Sequence, residues 1–112
     1  ALERLAYQHR SEGSFGMARD NYQRCLAIRE RLLADFGETP QRLIDLVKTL
    51  EYLANLYQEV GYVDRARASY QHSLILQKRL LIEQGESHER LCTIAKTQKR
   101  LATLDLTTDD PQ

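Results

Sequence analysis

The stretch LEYLANLYQEVGYVDRARASY, residues 50–70, decides the fold. Leu50, Leu53, Ala54 and Tyr57 step by three and four, Gly61 follows, and a second ladder opens with Ala66 and Tyr70. Steps of three and four put side chains on one face of an α-helix. A lone glycine just beyond such a stripe is the residue that ends a helix without a Cβ clash. The stretch therefore reads as two amphipathic helices joined by a very short turn, which leaves them little choice but to pack antiparallel.

The same pattern occurs twice. Shifting the chain by 48 residues aligns 2–49 with 50–97 and gives 19 identities, where unrelated segments share about three. They include Leu5/Leu53, Ala6/Ala54, Gly13/Gly61, Ala18/Ala66, Tyr22/Tyr70, Leu32/Leu80, Gly37/Gly85, Leu43/Leu91 and Lys48/Lys96. A third copy opens at 98–106, where KRLA at 99–102 follows ERLA at 3–6 and EYLA at 51–54. One stripe comprises Leu43, Leu46, Val47, Leu50, Leu53, Ala54 and Tyr57. Another comprises Phe15, Ala18, Tyr22, Cys25, Leu26, Leu32, Leu33 and Phe36. Thr39 before Pro40 is a cap and first-turn pair, and Ser87 takes the matching place. Five helices are expected, at about 1–12, 15–36, 39–60, 63–84 and 87–105, in one repeat domain over 1–106 with a polar tail at 107–112.

Composition narrows the function classes. Lys plus Arg and Asp plus Glu number 16 each in 112 residues, so no net field draws the chain toward phosphate backbones or anionic lipid, and neither nucleic acid nor membrane is an expected partner. No apolar run approaches the roughly 20 residues that span a bilayer, and no basic patch with an apolar segment opens the chain. Cys25 and Cys92 are too few and too far apart for a disulfide framework or a metal cluster; both read as small apolar residues in a reducing, cytoplasmic compartment. A start at Ala1 without an initiator Met reads as a slice of a longer, multi-domain protein.

With the repeat in view, Leu50, Leu53, Ala54, Tyr57, Gly61, Ala66 and Tyr70 resemble, in order, the pattern of the tetratricopeptide repeat; copy one supplies Leu2, Leu5, Ala6, His9, Gly13, Ala18 and Tyr22. The small residues suit close helix crossing, with Tyr22 and Tyr70 filling the space beside them. His9 stands where that family has Tyr, and the closing Pro is missing from both copies. The period exceeds the usual one of about 34 by seven residues per helix, nearly two turns, which moves the apolar face by only about 20°. The resemblance implies a long-helix variety: an all-α, right-handed superhelical solenoid of antiparallel hairpins whose first helices line a concave side where extended partners lie.

Chemistry is sparse. His9 and His72 have no second His or Cys at helical metal spacing. His72 has Ser69 and Ser73 nearby but reads as an exposed helix position, and Asp109 and Asp110 read as solvated tail. No phosphate-cradling glycine loop occurs. The chain is expected to be non-catalytic, with no cofactor and no metal.

Surface rows remain. Beside the apolar stripes of the first helices stand Glu3, Tyr7 and Arg10, then Lys48, Glu51, Asn55 and Gln58, then Lys96, Lys99 and Thr103. These rows differ between copies where the core repeats, which fits a groove reading several partner groups and equally fits unconstrained solvent positions. Some family members hold a peptide carboxylate with Lys and Asn on these rows. Asn55 and Lys99 match that arrangement and Glu3 and Tyr7 do not, so a peptide or helix carrying both charge signs is the expected partner, with Tyr7 as an aromatic anchor and with Ile44 and Cys92 either extending the lining or belonging to the core. The alternative is a structural slice of a longer array that associates end to end.

Overall fold

The computed structural model describes residues 15–108. The helix expected at 1–12, with Glu3, Tyr7, His9, Arg10 and Gly13, lies outside the described residues, as do Asp109 and Asp110. The described chain is all-helical. We number the helices α1 (Phe15–Phe36), α2 (Pro40–Glu59), α3 (Val63–Gln84) and α4 (His88–Thr108). Adding 48 to the bounds of α1 gives those of α3, and adding 48 to Pro40 gives His88. The last helix runs three residues past its expected end, because no glycine or proline interrupts it before Pro111 and Leu104 still finds the core.

The turns are built alike. Thr39 Oγ1 accepts from the Arg42 amide at 3.2 Å, and Ser87 Oγ from the Arg90 amide at 3.1 Å, each satisfying one orphan donor of a helix start. The guanidinium of Arg42 reaches back to the carbonyls of Phe36 and Gly37, and that of Arg90 to those of Gln84 and Gly85. One arginine per turn thus ties the end of one helix to the start of the next. Gly85 has φ 83° and ψ 172°, a region reserved almost wholly for glycine. A Cβ added there meets nothing within 4 Å, so backbone conformation and not space demands the residue. Gly85→Ala is expected to cost about 1–3 kcal/mol in urea unfolding; an unchanged midpoint would mean that the turn relaxes freely.

Contacts between neighbours run in opposite sequence directions: Gln23 meets Tyr57 and Arg29 meets Asp45, Asn55 meets Tyr70 and Glu51 meets Gln77, Gln77 meets Thr97 and Arg67 meets Asp105. Consecutive helices are therefore antiparallel, each packed on the next. One apolar cluster joins all four through Ala18, Tyr22, Leu53, Ala54, Leu56, Tyr57, Ala66, Tyr70 and Leu104. A second joins α2 and α3 through Leu43, Leu46, Val47, Leu50, Leu76 and Leu80. Every expected stripe residue of α2 is buried, as are Ala18, Tyr22 and Cys25 of α1. Leu32 and Phe36, expected in the core, are exposed. The register explains this: Leu80, the equivalent of Leu32, is covered by α2, whereas none of the described helices packs on that face of α1. No helix among the described residues is long and apolar enough to cross a membrane.

Candidate functional site

A cleft of about 200 Å³ lies where α2, α3 and the start of α4 meet, lined by Ile44, Val47, Lys48, Gln77, Leu80, Ser87, Glu89, Arg90 and Thr93. Helical spacing makes it. Ile44, Val47 and Lys48 are three and four apart on α2, Gln77 and Leu80 are three apart on α3, and the capped turn at Ser87 brings α4 across the end. The floor is apolar and the rim carries both charge signs, in Lys48 and Arg90 against Glu89.

Behind the floor is a buried polar chain that ties three helices. Gln77 Nε2 donates to Ser73 Oγ at 2.9 Å and to Thr97 Oγ1 at 2.8 Å, and Thr97 Oγ1 donates to Glu51 Oε1 at 2.6 Å. Arg100 Nη1 stands 3.5 Å from the same carboxylate. Burial pushes the Glu51 carboxyl up from its ordinary range, and the Thr97 hydrogen bond and the Arg100 charge offset part of that rise. Gln77 Oε1 and Glu51 Oε2 are buried acceptors with no donor among the described residues. Copy one has a sister arrangement, in which Arg29 donates to Thr49 Oγ1 and to the Asp45 carbonyl while Cys25 Sγ lies 3.6 Å from Thr49 Oγ1.

The residues singled out by sequence fall into two groups. Lys48 lines the cleft, and Lys96, Lys99 and Thr103 are exposed on α4. Glu51, Asn55 and Gln58 are half-buried and engaged within the fold. The Tyr70 hydroxyl donates to Asn55 Oδ1 and lies 3.1 Å from Gln58 Oε1, so these two residues receive a core tyrosine. Ile44 both lines the cleft and packs against the core. Cys92 lies 3.5 Å from His88 Nε2 on the outer side of α4, His72 is exposed, and Ser73 is buried against Gln77. Sequence reasoning missed Gln77 and Leu80 because it sought the lining on first helices alone, and Glu89, Arg90 and Thr93 because on the last helix it took only the rows from Cys92 onward. The available signal was a polar residue recurring inside the apolar face of a second helix, Arg29 in one copy and Gln77 in the next.

Among the described residues no group of three or more His, Cys, Asp or Glu could hold a metal ion. Comparison with protein-family models, with curated proteins and with solved structures finds no match for this chain.

Proposed function

We propose that this chain is a non-catalytic protein-interaction module, built as a tetratricopeptide-like superhelical array, that holds a short peptide or helical segment of a partner protein in the α2–α3–α4 cleft. The observation that carries the reading is the cleft itself. Its floor of Ile44, Val47 and Leu80 is apolar, its rim of Lys48, Glu89 and Arg90 is mixed in sign, and Gln77 Oε1 below lacks a donor among the described residues. An apolar anchor with a nearby N–H, flanked by both charges, is what such a surface complements. The repeat-like reading is supported by the fully buried pair Ala54 and Ala66 beside Tyr57 and Tyr70, and by helix bounds that recur after 48 residues. The exposed apolar side of α1 favours the second reading, end-to-end association.

Selection from a displayed random peptide library tests the cleft. Enriched peptides are expected to carry one or two bulky apolar residues between charges, and to lose at least tenfold in affinity against Ile44→Glu, a loss of about 1.4 kcal/mol or more. Recovery of no binders, or binders indifferent to both Ile44→Glu and Lys48→Glu, would remove the proposal.

A further inference from the structure

Two faces of the molecule differ from their own repeats. On α3, Leu76 and Leu80 are 5% and 6% exposed, packed in one cluster with Leu43, Leu46 and Val47 of α2. Their equivalents on α1, Ile28 and Leu32, are 56% and 38% exposed, and exposed Phe36 continues the stripe one turn on. At the other end Leu43 is 1% exposed, whereas its equivalent on α4, Leu91, is 45% exposed. Ile94, the equivalent of Leu46, is half-buried beside it. The chain therefore carries both sides of its α2–α3 interface a second time, the α2 side on α4 and the α3 side on α1, and neither is covered by another of the described helices.

The charges on the rim repeat as well. Arg79 on α3 pairs with Glu38 in the turn before α2. Both residues recur, as Arg31 on α1 and Glu86 in the turn before α4. Arg31 has a side chain 83% exposed and meets Asp35 of its own helix, and Glu86 is exposed. Apolar shape and charge sign thus match across the two open ends.

We infer that a second copy of this chain docks head to tail, α4 of one on α1 of the next, in the geometry that α2 and α3 already use. Leu91 and Ile94 then cover Ile28 and Leu32, and Glu86 comes beside Arg31. Because the two surfaces are different, each docking leaves one of each kind open, and the product is an open chain of copies, not a closed dimer. The association is reversible and concentration dependent. The α2–α3–α4 cleft takes no part in this contact, so peptide capture and self-association stand or fall separately.

Sedimentation velocity between about 10 μM and 1 mM tests the inference. The wild-type chain is expected to gain mass steadily over that range. Leu32→Glu and Leu91→Glu are both at exposed positions and are expected to stay monomeric alone, yet to form a one-to-one dimer and nothing larger when mixed, since each retains one intact end. Arg31→Glu should weaken wild-type association about threefold, and adding Glu86→Arg to the same chain should restore it. A strict monomer at the highest concentration, variants that do not dimerise on mixing, or a double charge variant no better than the single would each overturn the proposal.

Discussion

Tyr70→Ala is expected to destabilise the chain by about 3–5 kcal/mol, one of the largest losses that a single truncation here produces. The side chain is fully buried in the cluster that joins all four helices, next to the Ala54 and Ala66 crossing. No neighbouring helix can collapse into the space without breaking that crossing. The hydroxyl contributes separately. Tyr70→Phe keeps the ring but leaves Asn55 Oδ1 without its donor, which costs about 1–2 kcal/mol. Asn55→Ala is expected to cost a similar amount, and the double variant less than the sum, since the two residues share one bond. Burial pushes the Tyr70 phenol up to about 12 from its ordinary value of 10.0. The folded chain then holds that proton where the unfolded chain gives it up. Stability supplied by the neutral phenol is complete below the unfolded value and is lost as pH rises from 10.0 through about 12. Urea titration of the four proteins checks the energies, and additive losses in the double variant would contradict the assigned bond.

That result bears on how far the residues alone reveal the molecule. Helix positions, turns and most of the core were legible because the signals are local: the three-and-four spacing from Leu43 to Tyr57 buries every member, and Gly37, Gly61 and Gly85 all take positive φ. Exposure of Leu32 and Phe36 was not legible, since it depends on whether another helix covers the same face, which periodicity within α1 does not state. Surface rows were the least legible. Asn55 and Glu51 sit one position off an apolar stripe and read as groove residues, but a neighbouring helix supplies each with an internal partner, Tyr70 for one and Thr97 for the other. Polar residues at such boundary positions answer to whichever side has the unmet hydrogen bond. In this fold that side is the interior.

Glu51→Lys is expected to cost about 3 kcal/mol, because a buried carboxylate that accepts from Thr97 and faces Arg100 becomes an ammonium that accepts nothing and repels the guanidinium. Glu51→Gln separates the charge from the hydrogen bond, since its amide oxygen still accepts from Thr97. The wild-type carboxyl is raised above its ordinary value of 4.5 chiefly by burial. The folded chain therefore binds that proton more tightly than the unfolded chain does. Lowering the pH from neutral toward 4.5 adds stability relative to Glu51→Gln, and raising it removes that increment. The difference between the two proteins isolates this group, since all other carboxylates are common to both. A difference that is flat with pH, or that grows as pH rises, would contradict the assignment. The comparison also governs any binding experiment at this position: a charge reversal that weakens peptide capture reports on the groove only when Glu51→Gln leaves capture intact, because the reversal alone loosens the contact between α2 and α4 that shapes the cleft.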